Sequence, residues 1–265
     1  MKIALLDSGI GLLAAAAALR SLRPDVDLVL SSDPDGMPWG PRTPVDVTAH
    51  ALACARAAAA HEPDALVIGC NTASVHALDA LRAELEPLFP VIGTVPAIKP
   101  AAAAGRPVAI WATPATTGSS YQRALIRDFA GPAAVTEVAC PGLADAVERG
   151  DDAAIGAAVA DAAARTPAGT AAVVLGCTHY ELVADLIRAA VAPTAAEDLG
   201  VYGSADAVAA QTLRRVADAG RDTAPGSARL TVLHNGRAGA LSAAVARYPQ
   251  ARLVTAGLPA PAPTA

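Results

Sequence analysis

Short apolar runs alternate along this chain with longer alanine-rich stretches, and this alternation constrains the fold more than any other feature of the sequence. Residues 65–68 and 171–175 have the length and character of buried strands. Residues 12–19 and 51–60 are rich in alanine, the residue with the highest helix propensity. Strands that alternate with helices in this way are typical of parallel sheets covered by helices. The sequence therefore predicts an α/β protein.

The number of candidate strands predicts two domains. The candidate strands are residues 2–6, 27–30, 65–68, 91–93, 107–111, 135–138, 171–175, 200–202, 230–233 and 251–254. Three prolines and a glycine in residues 95–107 mark a linker. We expect a first α/β domain formed by residues 1–96 and 205–258 and a second formed by residues 97–204. Residues 259–265 are predicted to be a disordered tail.

Composition excludes several classes of protein. The net charge is −5, and the 20 basic residues form no cluster, which argues against nucleic acid as a partner. The apolar N-terminal stretch is interrupted by Asp7 and is too short to span a bilayer, so no membrane association is predicted and a cytoplasmic location is expected. The four cysteines are expected to be free thiols. Cys54 and Cys140 are predicted to be structural.

Two stretches repeat the same junction, in which an apolar strand ends in glycine and cysteine. Residues 66–72 read LVIGCNT and residues 173–179 read VVLGCTH, so Cys70 and Cys177 occupy matching positions on opposite sides of the linker. For a single copy, a buried core cysteine is the favoured interpretation. Ligands bind beyond the carboxyl ends of parallel strands, where N–H groups at helix N-termini favour a thiolate. The two copies therefore predict two reactive thiols that face one cleft.

The polar residues beside these strand ends suit a substrate with a carboxylate and an ammonium group. The predicted carboxylate donors are Asn71, Thr72 and Thr178, and the predicted proton partners of the thiols are Asp7 and His179. Asp7, with Ser8 beside it, could also bind an ammonium group; capping of the following helix is the alternative for both residues. Two thiols on opposite faces of one carbon can remove a proton on one side and return it on the other, which is racemisation.

Other interpretations of these residues remain open. Residues 9–14 fit the dinucleotide fingerprint G-x-G-x-x-A, and Asp33 follows at a suitable distance, so an NAD-dependent dehydrogenase is the alternative on motif grounds. A non-catalytic amino-acid-binding protein is another alternative. No metal site is predicted, because the cysteines come singly from distant segments. The remaining histidines, expected to be solvated or packed in the core, are His50, His61, His76 and His234.

Seven stretches of the chain resemble the cofactor-independent aspartate/glutamate racemases. They are DSGIG (7–11), MPWG (37–40), GCNTAS (69–74), VPAIKPA (95–101), ATPATTGSSYQ (112–122), CPGLADAVERG (140–150) and GCTHYELV (176–183). They follow the order of that family over about residues 1–215. The resemblance implies two α/β domains that face each other across the active site, with the C-terminal segment returning to the first domain.

The resemblance also implies roles for individual residues. Cys70 and Cys177 would each serve one enantiomer; Asp7 would assist Cys70, and His179 with Glu148 would support Cys177. The implied substrate-binding residues are Asp7, Ser8, Trp39, Gly40, Asn71, Thr72, Thr113, Thr116, Thr178 and His179. No cofactor is implied. A homodimer, glutamate as the first-choice substrate and supply of D-glutamate for peptidoglycan are further implications, with aspartate or another small substrate as the alternative.

The sequence departs from the family pattern at four places. Trp39 stands where tyrosine is usual, Leu12 replaces the second glycine of a usual pair, and Glu181 stands where proline is common. Residues 200–209 lack the usual Asp-Ser-Gly. Because the residues implied in proton transfer are all present, these departures bear on substrate preference more than on reaction type.

Overall fold

The computed structural model describes residues 1–222 and 224–255. The predicted disordered tail, residues 259–265, lies outside the described residues, as do residues 256–258 of the predicted first domain. In the described part of the chain, no helix has both the length and the apolar character needed to cross a membrane.

The described residues form ten strands and twelve α-helices. The strands are β1 (Lys2–Asp7), β2 (Asp27–Ser32), β3 (Ala65–Ile68), β4 (Val91–Ile92), β5 (Val108–Ala112), β6 (Val135–Ala139), β7 (Ala172–Leu175), β8 (Gly200–Tyr202), β9 (Leu230–His234) and β10 (Arg237–Ala238). The helices are α1 (Leu13–Leu22), α2 (Pro44–Ala59), α3 (Asn71–His76), α4 (Leu78–Leu85), α5 (Ile98–Ala102), α6 (Ser120–Phe129), α7 (Leu143–Arg149), α8 (Asp152–Ala164), α9 (Ala184–Val191), α10 (Ala205–Asp218), α11 (Ala243–Ala246) and α12 (Pro249–Thr255). Two segments, Ile10–Leu12 and Thr178–Val183, are 3-10 helices.

Nine of the ten predicted strands are confirmed to within two residues at each end. The prediction of a strand at residues 251–254 is wrong, because this run lies inside helix α12. A short apolar run does not by itself distinguish a strand from a buried helical turn, and Pro249 at the start of this one favours a helix. The short strand β10, which pairs antiparallel with β9, was not predicted.

The strands form two separate sheets, which confirms the predicted α/β class with mostly parallel sheets. The first sheet has the order β10-β9-β2-β1-β3-β4, and the second has the order β6-β5-β7-β8. Every pairing apart from β9 with β10 is parallel in the part of the chain described here. The sheets share an arrangement, since β1 and β5 each lie between the next two strands of their own half. The domain limits themselves stay a prediction.

This shared arrangement decides where a ligand can bind. The chain passes from β1 to β2 on one side and then to β3 on the other, and it does the same from β5 to β6 and β7. Ligands of open parallel sheets bind at such a switch point, beyond the carboxyl ends of the strands. Cys70 follows β3 and Cys177 follows β7, so the two cysteines occupy equivalent positions in the two sheets.

Helix α1 joins the cores of the two sheets. Its residues 13–20 are all buried, and its alanines allow neighbouring elements to approach closely. It packs against α10, α12 and the 3-10 segment Thr178–Val183. One continuous apolar cluster contains Leu13 of α1, Leu5 of the first sheet and Trp111 of the second. The two sheets are therefore held together by a packed core.

Candidate active site

A cavity of about 310 Å³ lies at the carboxyl ends of the central strands of both sheets. This volume is at the lower end of the range for small-molecule sites. The predicted site residues that line it are Asp7, Ser8, Trp39, Gly40, Cys70, Asn71, Thr72, Thr113, Thr116, Cys177, Thr178 and His179. Glu148 is the one predicted site residue absent from the cavity wall, and it lies behind His179.

Cys70 is buried at the wall of this cavity. It occupies the N-cap position of α3 with an extended backbone. Burial raises the pKa of the Cys70 thiol well above its ordinary value, and the negative charges of Asp7 and Cys177 raise it further. The backbone N–H groups of Ala73 and Thr72 act in the opposite direction, as predicted for a helix N-terminus, but they are outweighed. Without a ligand, Cys70 is therefore a thiol rather than a thiolate.

Cys177 is the first member of a hydrogen-bonded chain that leads away from the cavity. Its Sγ lies 3.9 Å from Nδ1 of His179, and Nε2 of His179 lies 2.9 Å from Oε2 of Glu148. The same Glu148 oxygen accepts a hydrogen bond of 2.9 Å from the backbone N–H of Ile10. Both ring nitrogens of His179 thus have partners, so the orientation of the ring is determined.

The charge state of His179 results from opposing effects. Burial disfavours the imidazolium, but hydrogen bonds to Cys177 and Glu148 and the nearby negative charge of Asp7 outweigh it, and the pKa of His179 lies well above its ordinary value. Burial also disfavours the Glu148 carboxylate, but its hydrogen bond to His179 and the histidine's charge hold the pKa of Glu148 below its ordinary value. The pair is therefore an imidazolium and a carboxylate, and the positive charge lies beside the Cys177 sulfur.

Asp7 lies at the end of β1 and is fully buried. One carboxylate oxygen accepts hydrogen bonds from the Ser8 backbone N–H at 2.5 Å and from the Ser8 hydroxyl at 3.1 Å, and the other accepts one from the Thr178 hydroxyl at 3.4 Å. Burial raises the pKa of Asp7 to about 6, partly offset by the charge of His179. Neither Asp7 nor Ser8 caps the following 3-10 helix, whose N-cap is Gly9. Asp7 thus links the two halves at the cavity.

Asn71 makes a second link between the halves. Its side-chain N–H donates a 2.9 Å hydrogen bond to the carbonyl of Gly176, which precedes the second cysteine. The Asn71 amide oxygen is buried and has no hydrogen-bond partner among the described residues. Thr72 and Thr178 lie beside it on the cavity wall. The cavity therefore offers amide and hydroxyl groups next to both thiols.

Trp39 forms an aromatic part of the wall and is held from behind. Its side chain is 1% exposed, and its indole N–H donates a 2.9 Å hydrogen bond to Asp33. The same Asp33 oxygen lies 2.7 Å from Nδ1 of His50. His50, expected to be solvated or packed in the core, thus lies against the Asp33 carboxylate. The indole N–H is committed to this contact, so Trp39 presents its ring rather than a donor to the cavity.

Other residues of the wall were predicted in part or missed. The hydroxyls of Thr113 and Thr116 lie 3.2 Å apart on the second half. Cys140, predicted to be structural, is 1% exposed and lies in the wall, where its thiol donates to the Val138 carbonyl at 3.5 Å. Met37 and Asp145 also line the cavity. Both lie within stretches that resemble the racemase family, MPWG (37–40) and CPGLADAVERG (140–150), but neither was predicted to be a site residue.

The glycine-rich segment that fits a dinucleotide fingerprint is packed against the second half of the chain. A Cβ on Gly9 would collide with the carboxylate of Glu148, and one on Gly11 would collide with Asp7, Thr178 and His179. The N–H group of Ile10 is used by Glu148. The glycines thus permit a close approach between the two halves, which disfavours the dehydrogenase interpretation. In the described ranges, no group of three or more His, Cys, Asp or Glu side chains is arranged to hold a metal ion.

The fold and the cavity define an α/β protein with two mostly parallel sheets and a cavity of small-molecule size between them, lined by Cys70 and Cys177. The family model described as Asp/Glu/Hydantoin racemase matches residues 11–212, and the chain belongs to this family of isomerases. It is 37% identical over 226 residues to a glutamate racemase of Roseiflexus sp. (strain RS-1), covering 82% of this chain and 80% of the relative.

Solved structures of similar proteins share the fold. A glutamate racemase isoform from Bacillus anthracis superposes with a TM-score of 0.68 and 28% identity over 87% of this chain and 86% of the other. The Escherichia coli glutamate racemase superposes with a TM-score of 0.71 over 96% of this chain and 92% of the other, at 24% identity. The likeness at this lower identity concerns the fold alone.

Proposed function

We propose that this protein interconverts the L and D forms of an amino acid by two-base proton transfer between Cys70 and Cys177, and that glutamate is the substrate. The observation that carries the proposal is the equivalent position of the two cysteines, one after β3 and one after β7, on the wall of one cavity. A carbon bound between them meets one sulfur on each face. This arrangement suits removal and return of a proton on opposite sides.

The surroundings of the two thiols differ. The imidazolium of His179 lies beside the Cys177 sulfur, whereas burial and the negative charge of Asp7 raise the pKa of the Cys70 thiol. In one direction, the Cys177 thiolate removes the α-proton, the electron pair of the C–H bond moves toward the substrate carboxylate, and Cys70 delivers its proton to the opposite face. The reaction ends with the protonation states of the two thiols exchanged. The reverse reaction starts from that state.

The α-proton of an amino acid is a weak acid, so the site must stabilise the charge that develops on the substrate carboxylate. Asn71 and Thr72 supply amide and hydroxyl donors for this purpose, and fixed donors of this kind contribute strongly to catalysis, whereas the hydroxyl proton of Thr178 is committed to Asp7. Asp7, near Cys70 and with a pKa of about 6, can bind the substrate ammonium or receive a proton from Cys70. No step requires a cofactor.

The choice of glutamate rests on the relatives, which are named glutamate racemases at 34–37% identity. Trp39, with its indole N–H turned away to Asp33, is the wall residue expected to alter selectivity between glutamate, aspartate and other small substrates. Supply of D-glutamate for peptidoglycan, a homodimer and a cytoplasmic location belong to the same proposal.

The test is racemisation by the purified protein without added cofactor. L- and D-glutamate, aspartate and neutral amino acids are followed separately by circular dichroism, with uptake of solvent deuterium at the α-carbon. The Cys70→Ser and Cys177→Ser variants are each expected to lower the racemisation rate by about 10²- to 10⁴-fold, the usual contribution of an acid or base. Cys54→Ala, which removes a buried thiol outside the cavity, is the control.

Three results would contradict the proposal in different ways. Near-full racemisation by either cysteine variant would refute the two-thiol mechanism. Binding of an amino acid without deuterium uptake would identify a non-catalytic binding protein. Turnover of another amino acid in preference to glutamate would refute the substrate and leave the mechanism intact.

A further inference from the structure

Glu181 belongs to the same 3-10 segment, Thr178–Val183, as His179, but its side chain lies away from the active-site cavity. It lines a separate cavity, together with residues of α1, α9, α10 and α12. Its side chain is buried, with 9% of the residue exposed. A buried carboxylate is costly unless it is hydrogen-bonded, so its partners show what holds it there.

Both carboxylate oxygens of Glu181 accept hydrogen bonds from the start of helix α10. One oxygen accepts from the backbone N–H of Ser204 at 2.9 Å and from its hydroxyl at 2.7 Å, and the other accepts from the N–H of Ala205 at 3.1 Å. The first N–H groups of a helix have no partner within the helix, and Ser204 makes no side-chain cap of its own. Glu181 therefore caps α10 from another element.

The contact is close enough to restrict the neighbouring residues. A Cβ on Gly203 would collide with the Glu181 carboxylate, so the chain before α10 can approach only because a glycine stands there. A negative charge at a helix N-terminus is also favoured by the helix dipole. Burial nevertheless raises the pKa of Glu181 above its ordinary value, although the hydrogen bonds from Ser204 and Ala205 act in the opposite direction.

The elements that hold Glu181 pack on the side of the first sheet, whereas β7, which precedes the segment, belongs to the second. Helix α10 contacts α1 and strand β3, and α12 contacts α1. From α12, the side-chain N–H of Gln250 donates a 3.3 Å hydrogen bond to the backbone carbonyl of Glu181. The segment that carries His179 is thus anchored at one residue to two helices that pack against the first half.

We propose that Glu181 is a positioning residue that holds Cys177 and His179 in place relative to Cys70 and Asp7 on the opposite sheet. The inference rests on the proposed function. Displacement of a reacting group by about 1 Å can cost about 100-fold in rate, so loss of this anchor affects proton transfer at Cys177. The carboxylate of Glu181 bonds Ser204 and Ala205 and not the turn that carries Cys70, so proton transfer at Cys70 is expected to be less affected.

The experiment measures removal of the α-proton by each thiol separately. In glutamate with chloride on the β-carbon, removal of the α-proton by one base forms a Cα–Cβ double bond and expels chloride, so no second acid is needed. Each configuration at the α-carbon presents its proton to one thiol, and the Cys177→Ser variant identifies the form that depends on Cys177. Chloride release from both forms is then measured for wild type, Glu181→Ala and Glu181→Gln.

Glu181→Ala is expected to lower elimination from the Cys177-dependent form by about tenfold or more relative to the other form. Glu181→Gln keeps the shape and one acceptor oxygen, so an intermediate loss is expected, and this variant serves if the alanine variant fails to fold. Asp206→Asn removes an exposed acidic group from the first turn of the same helix and is the matched control, with both eliminations unchanged.

Equal losses for the two forms, or rates equal to the Asp206→Asn control, would overturn the inference, since a purely structural role would not distinguish the thiols. Wild-type protein that neither racemises glutamate nor eliminates chloride would refute the proposed function, and the inference with it. If the wild type is active but the Glu181 variants lose elimination from both forms equally, the inference about Glu181 is refuted and the proposed function stands.

Discussion

Replacement of Glu148 by glutamine isolates the contribution of a charge to the candidate site. Glu148 Oε2 lies 2.9 Å from both Nε2 of His179 and the backbone N of Ile10, and the side chain is 17% exposed. Glutamine keeps the shape and one acceptor oxygen. The variant therefore tests whether the negative charge that supports the imidazolium matters for turnover.

The expected loss follows from this geometry. A hydrogen bond to a charged group contributes about 1.5–3 kcal/mol. If that amount is lost in the transition state, kcat/KM falls by about 10- to 100-fold, at about 1.4 kcal/mol for each factor of ten. Without the carboxylate, the pKa of His179 is expected to fall toward the ordinary value, and the charge beside Cys177 is lost as the pH rises.

The same substitution changes the pH dependence of stability. The raised pKa of His179 stabilises the folded state fully below the unfolded value of about 6.5, and this stabilisation is lost as the pH rises through the higher folded pKa. The lowered pKa of Glu148 stabilises the folded state above its unfolded pKa and is lost as the pH falls through its folded value. The difference in unfolding free energy between wild type and variant is therefore expected to be largest between the unfolded pKa of Glu148 and the unfolded pKa of His179.

The assays are pH profiles of kcat/KM, NMR titration of the His179 ring and urea unfolding. Glu84→Gln, which removes an exposed carboxylate paired with Arg56, is the control and is expected to leave kcat/KM unchanged. A Glu148→Gln variant with kcat/KM within threefold of wild type and an unchanged His179 titration would refute the reasoning.

Three further substitutions test the contacts around the cavity. Wild-type kcat/KM is expected to fall as the pH drops below about 6, where the buried Asp7 carboxylate gains a proton. Asp7→Asn should lower activity and abolish this decrease at low pH. If the decrease persists in the variant, Asp7 is not its source. Gly11→Ala places a Cβ against Asp7, Thr178 and His179 and should cost about 1–3 kcal/mol of stability, measured by thermal unfolding. The control is Gly156→Ala, on a helix with open space around it, which should be neutral or stabilising. Asp33→Asn weakens the hydrogen-bond acceptor of the Trp39 indole N–H, so KM should rise more than kcat changes, and the tryptophan fluorescence should shift. An unchanged KM would show that this contact does not shape the substrate pocket.

The two predicted cysteine positions and nine strands could be derived from the sequence because each depends on local information. An apolar run that ends at a glycine and a polar residue identifies a strand end without reference to distant residues, as at Ile68 and Leu175. Residues 251–254 show the limit of this reasoning, because an isolated apolar run acquires its conformation from the surface against which it packs. There the surface is α1, which receives α12 as a helix.

The sequence by itself determined that the chain alternates strands and helices and that two cysteines follow equivalent strands. Tertiary structure alone decided which side chains meet there. Glu148 reaches His179 across 31 positions, and Glu181 reaches Ser204 across 23. Local patterns specify elements, whereas the contacts between elements depend on the packing of the whole core, here the close approach permitted by Gly9 and Gly11. The positions of the two cysteines could therefore be derived from the sequence, whereas the distances from Cys177 to His179 and from His179 to Glu148 depend on how the two sheets pack together.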